Sequence, residues 1–261
     1  MSGRFRRGFT LIELLVVVAI LALLASVLSG VVLSSLEKGR RTHCAQNLRN
    51  LAAANGSHAA NQETFVAAAE DIMTTNRKRW HGQRAGNRGA FDGRQGPLST
   101  FLGDAQIRRC ASFRPGRDFQ AGFESANGGY GYNAVGVGST SYLGGYTKTS
   151  ALRGLRPAQV DTPAQTLMFA DAAFAQPYGT PDHLTEYSFL EPVRSLKWGT
   201  TEEGAAAQPS LHFRHEGRVN AVWVDGHKST EILNPRAASA QAAFQLGWFG
   251  DPADNAPFRP W

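Results

Sequence analysis

Cysteine is nearly missing from this chain of 261 residues, where Cys44 and Cys110 are the only two. That excludes a disulfide-built scaffold, and the pair lacks the C-x-x-C spacing of a redox or zinc motif. One bridge in an oxidising compartment and two buried thiols in a reducing one both stay open. Acidic residues are missing from the first twelve positions, where Arg4, Arg6 and Arg7 stand unopposed. No proline interrupts residues 9–61, and no internal repeat is visible. Also missing are G-x-S-x-G, H-E-x-x-H and any glycine-rich phosphate loop in a strand–helix context. No enzymatic activity is expected.

Glycine is plentiful, with 28 residues, about 11% against an average near 7%. Without a strict period, that excess points to a turn-rich fold rather than a helical bundle. The formal charge of +6 owes half its value to the three leading arginines. It is therefore weak support for a nucleic-acid partner.

Residues 9–33 form an apolar run interrupted by one charge, Glu13. As a helix it spans about 38 Å, enough to cross a hydrocarbon core of roughly 30 Å. The arginines before it keep the extreme N-terminus cytoplasmic and place the remainder outside. A cleaved secretory signal would be shorter and would end in a small-residue site, which Val27-Leu28-Ser29 does not supply. A plain signal anchor fits the length but leaves the carboxylate unexplained, since a charge in lipid normally has a partner or a task.

The segment Arg7-Gly8-Phe9-Thr10-Leu11-Ile12-Glu13-Leu14-Leu15-Val16 resembles the cleavage and methylation site of type IV prepilins and type II secretion pseudopilins. The resemblance implies a leader at residues 1–8, cutting between Gly8 and Phe9 by a membrane prepilin peptidase, and N-methylation of Phe9. Glu13 becomes the fifth mature residue, the position this family keeps acidic, and its expected partner during assembly is the Phe9 ammonium of a neighbouring subunit. Many pilins carry a proline midway along this helix. Here only Gly30 and Gly39 offer weak points.

The transmembrane half, 9–33, leads into an amphipathic half, 34–61, with Leu36, Cys44, Leu48, Leu51 and Ala52 at helical spacing. The head is expected over 62–261. Within it the sequence predicts a short helix over 63–75, an exposed basic loop over 76–97 and a helical turn over 97–102. Short strands are predicted at 107–110, after Tyr130 and at 166–170. A hairpin is predicted about Asp225-Gly226, between the runs 219–224 and 227–233. The fold class is α+β: a long pilin-type helix packed on a loop-rich head with a small antiparallel sheet.

His215, nine further residues and then Asp225-Gly226 resembles the processing-associated C-terminal domain of many prepilin-like proteins. The stretch ending at Asp171, Tyr130-Gly131-Tyr132-Asn133 and Cys110-Ala111-Ser112 resemble other blocks of that group, with Ala111 where those proteins usually have proline. With the head outside the cytoplasm, Cys44 and Cys110 are expected to form a disulfide stapling helix to head. His215, Asp225 and His227, with His212 and Asp171 further away, carry the residue types for zinc or calcium. Calcium arises because type II major pseudopilins hold one in the head. Asp225-Gly226 already has an explanation as a turn, so no metal or other cofactor is expected.

The basic stretch from Arg77 to Arg94, with Trp80 and His81 interleaved, has the residue types for single-stranded nucleic acid. A solvated filament surface is the preferred reading. The expected partners are membrane lipid, the peptidase, an inner-membrane assembly platform and other pilin-like subunits. The expected place is the bacterial inner membrane, with the head in the periplasm, and then a periplasmic or surface filament. The alternative is an envelope binding protein that uses the helix only as an anchor.

Overall fold

The computed structural model describes residues 9–87, 89–115, 124–176, 183–237, 242–251 and 253–261. It divides into two compact units, one running to Gly39 and one spanning Arg40–Trp261. A single helix, α1 (Leu11–Gln62), belongs to both. With no proline it runs on through Gly39 and Gly56. It stops where Glu63 turns left-handed, φ 64°.

Beyond Thr10 the described residues of the first unit are all helical, and the apolar side chains from Phe9 to Val27 and from Val31 to Leu36 are exposed. Leu36, read from the sequence as the start of the amphipathic stripe, is among them. The stripe that packs begins at Cys44 and continues through Ala45, Leu48, Leu51, Ala52, Asn55 and Ala59, all buried. These positions recur every three or four residues and so lie along one side of the helix.

The second unit is built on a four-stranded antiparallel meander. Its strands are β1 (Tyr130–Tyr132), β2 (Leu167–Asp171), β3 (Arg218–Trp223) and β4 (Lys228–Ile232), neighbours in that order. Strand β2 is buried along its whole length. The register sets Tyr130 opposite Asp171, Tyr132 opposite Phe169, and Ala221 opposite Ala170. Gly131 faces Ala170 because nothing larger fits, since a Cβ there would meet Leu190 and Ala172 at 2.7 and 2.8 Å. The edge strand β4 carries Lys228 and Glu231, charges that discourage pairing with another chain. The remaining strands form two-stranded ribbons. An α+β head with several small antiparallel sheets therefore follows the long helix.

Helix α1 meets the sheet through two amide–phenol contacts. Asn47 Nδ2 donates to the Tyr130 hydroxyl and Asn55 Nδ2 to the Tyr132 hydroxyl, each at 3.0 Å. Asn55 also accepts the Val66 N–H through Oδ1 at 2.8 Å, which turns the chain back along the helix it has just left.

Two predicted elements are absent. Residues 63–75 are not helical, because their amides serve partners far away: Phe65 N–H donates to Leu155 O and Ala68 N–H to Gly138 O. Residues 107–110 are extended but unpaired as a strand, with the Cys110 N–H to Gly128 O bond at 2.9 Å.

Candidate functional site

At the start of α1, Thr10 is the capping residue and Glu13 the third helical one. Glu13 Oε2 accepts from the Thr10 backbone N–H and from its hydroxyl, both at 2.8 Å, while the Glu13 N–H donates to Thr10 Oγ1 at 3.3 Å. This is a reciprocal capping box, and its T-x-x-E signature was available in the sequence. Glu13 thus has a local task that the family resemblance did not suggest. Phe9 is exposed. Gly8 and the arginines before it lie outside the described residues.

In the head, Cys44 and Cys110 are joined by a disulfide, with Cα atoms 5.2 Å apart and a separation of 66 in sequence. Closing such a loop stabilises by about 4 kcal/mol in the chain-entropy treatment. Replacing both cysteines by alanine is expected to lower the stability of the detergent-solubilised protein by an amount of that order. Chemical denaturation monitored by near-UV circular dichroism measures it.

Against the bridge lies a fully buried polar cluster. His215 Nε2 is 3.6 Å from Cys110 Sγ and 3.4 Å from Asp171 Oδ2. Asp171 closes β2, and its Oδ2 also accepts the Asn220 N–H from β3 at 2.8 Å. Arg214 Nη2 stands 3.9 Å from Asp171 Oδ1 and donates to Gly129 O and Ala172 O. Its guanidinium lies 4.8 Å above the Phe113 ring. Burial draws the Arg214 pKa down while the Asp171 charge opposes that. Burial first and the Asp171 charge second raise that of Tyr130.

Asp171 and His215, both in the set weighed from the sequence for zinc or calcium, are therefore brought together. Asp225 and Gly226 are not brought to them. His215 precedes β3 while Asp225 follows it, so a six-residue strand, about 20 Å long, separates the two ends. Asp225 and Gly226 form the hairpin tip, where only Gly226 takes a positive φ, 87°. Asp225 Oδ1 accepts the His227 N–H at 3.0 Å and contacts His227 Nδ1 at 2.6 Å, while the His227 ring stacks on Trp223. His212 is buried in a short ribbon, its ring edge-on to Phe113.

The basic stretch corrects the reading of an exposed loop. Lys78–Arg79 and Gly82–Gln83 form a small hairpin that turns Arg79, Trp80, His81 and Arg84 inward. Arg79 makes a two-pronged pair with Glu124, with contacts from 2.7 to 3.1 Å. Glu124 also accepts from Ser188 Oγ, which contacts His81 Nε2 at 2.6 Å. Trp80 Nε1 donates to Ser188 O, and the indole packs on Phe169. Arg79, Arg84 and Trp80 are thus spent on the core, while Lys78 and Arg94 stay exposed. Arg88 lies outside the described residues.

Burial pulls His81 and His212 well below the usual imidazole range, with neighbouring arginines adding to the effect. The folded head keeps both neutral, whereas the unfolded chain protonates them below about pH 6.5. The unfolded state then binds more protons, so stability falls as the pH drops from about 6.5. With both groups fully engaged the slope approaches about 2.7 kcal/mol per pH unit. Glu186 and Glu191 oppose this as the pH nears the carboxylate range, because burial raises both. Denaturation midpoints between pH 7.5 and 5.5 are expected to show the decline, and His81→Gln is expected to reduce its slope.

Residues 3–29 match the family described as the prokaryotic N-terminal methylation motif. No curated protein and no solved structure matches the chain. The motif indicates a type IV pilin-like or pseudopilin-like protein. Together with a helix long and apolar enough to cross a membrane, it supports a membrane-anchored one.

Proposed function

We propose that this protein is a structural subunit of a type IV pilus-like fibre or a type II secretion pseudopilus. Prepilin peptidase cuts it between Gly8 and Phe9, and Phe9 becomes N-methylated. The observation that carries this reading is the first unit itself. It is a helix with exposed apolar side chains, and the one carboxylate within its apolar run, Glu13, sits four residues after the expected new N-terminus. In a bilayer that surface faces lipid. In a filament it faces the same helix of other subunits, where close packing replaces lipid contacts. The head stays outside the cytoplasm and meets other pilin-like subunits and the assembly platform. The Phe9 ammonium of one subunit pairs with Glu13 of the next and sets the axial step between them.

Processing is tested by mass analysis of N-terminal peptides from membrane-extracted protein, with N-methylated Phe9 as the expected first residue. Assembly is tested by imaging sheared fibres from cells that express a tagged chain. A processed protein never found in fibres would support the anchored binding protein instead.

A further inference from the structure

The cluster around the disulfide has a second chemistry open to it. We propose that when the Cys44–Cys110 bond is reduced, the two thiolates and a ring nitrogen of His215 hold one thiophilic divalent cation of the zinc type, with the Asp171 carboxylate beside them. The same point of the head is then closed either by a covalent bond or by a metal.

Geometry supports this first. Both Sγ atoms and a ring nitrogen of His215 lie within 4.8 Å of one another. In a tetrahedral zinc site, metal–ligand lengths near 2.3 Å for sulfur and 2.0 Å for nitrogen set ligands about 3.5 Å apart for S···N. The structure has 3.6 Å from Cys110 Sγ to His215 Nε2 and 3.4 Å from Nε2 to Asp171 Oδ2. The nitrogen that a metal would use is thus already aimed between a sulfur and a carboxylate.

Charge balance points the same way. In the disulfide form the buried charges are Asp171 and Arg214, which cancel. Reduction to two thiolates adds two negative charges, and one divalent cation removes them. Both forms are neutral in a site closed to solvent, whereas two thiolates without a cation would carry an uncompensated buried charge. Asp171 Oδ1 has no hydrogen bond in this structure. Its Oδ2 takes the Asn220 N–H and its Oδ1 stands 3.9 Å from Arg214, so the carboxylate balances charge beside the site.

The interconversion needs a dithiol or disulfide partner, such as a thiol–disulfide oxidoreductase. On reduction, two thiols of the partner pass two electrons and two protons to the bridge, and the partner leaves as a disulfide. Metal binding then releases the two protons from Cys44 and Cys110. On oxidation a partner disulfide takes two electrons, the Cys44–Cys110 bond forms and the cation departs. Which form the head carries is set by the thiol–disulfide poise it meets. None of this depends on whether the helix builds a filament.

The test uses the full chain in detergent, reduced with a phosphine under anaerobic conditions and titrated with cobalt(II). One equivalent is expected to give the near-ultraviolet thiolate-to-cobalt absorption and the intense visible bands of a tetrahedral ion, with zinc(II) displacing it. Oxidised protein is expected to show neither. His215→Gln keeps both sulfurs but loses the nitrogen, and it is expected to bind at least about tenfold more weakly. Near-UV circular dichroism follows folding in every sample. Reduced protein without a cobalt–thiolate signal, whether it stays folded or melts, would overturn the proposal. So would an equal signal from His215→Gln, because the metal would then sit on loose thiols.

Discussion

Glu13→Val is expected to be cut after Gly8, to remain in the membrane and to be missing from sheared fibres. The carboxylate has two tasks that valine removes together. One is local: it accepts the Thr10 N–H and hydroxyl and so caps the helix. The other belongs to the filament, where it meets the cationic N-terminus of a neighbour. Glu13→Gln separates them, because an amide oxygen still caps but carries no charge. If pairing with Phe9 directs assembly, the glutamine variant is as absent from fibres as the valine one. Wild-type amounts of the glutamine variant in fibres would leave only the cap and remove the pairing. Immunoblots of sheared fibres against membrane fractions decide between the two.

Asp171→Asn is expected to destabilise the head by about 3–5 kcal/mol, the range for breaking a buried pair from one side. Asparagine can still accept the Asn220 N–H, so the loss is charge rather than shape. Arg214 would then stand in the core without the Asp171 charge, although it still donates to Gly129 O and Ala172 O. A double-mutant cycle with Arg214→Gln checks the cause. If the two residues act as a pair, the double variant is less unstable than the sum of the singles. Strict additivity would mean that the 3.9 Å approach contributes nothing.

What the sequence made legible was what local chemistry decides. A long apolar run without proline gives α1, and Asp225-Gly226 between two extended runs gives the β3–β4 hairpin. The apolar stretch before Asp171 gives β2. The failures occur where distant partners decide. Residues 63–75 have helix-forming composition, yet their amides reach Leu155 O and Gly138 O and hold the chain out of a helix. The basic stretch looked solvated because its counter-charge, Glu124, lies 45 residues from Arg79 in a segment with no periodic signal. Asp171 and His215 stand in one candidate set with Asp225, His227 and His212, and the sequence does not say which of these meet. The meeting of the first two depends on the β2–β3 register, and on a tight turn in which His215 and Arg218 exchange backbone hydrogen bonds. The T-x-x-E box was readable and was passed over because Glu13 already had another explanation.

The position of the disulfide along α1 matters for how a fibre would carry load. Among the described residues Cys44 is the first buried position of the helix. A pull on the apolar half therefore reaches a covalent bond before it reaches any of the packed side chains. Leu48, Leu51 and Asn55 lie behind that bond and cannot be unzipped one at a time from the N-terminal side. To strip the head from its helix, the force must break sulfur from sulfur or unravel the 66-position loop that the bond closes. Reduction without a bound cation would turn the same joint into one that opens by peeling, side chain after side chain, at far lower tension.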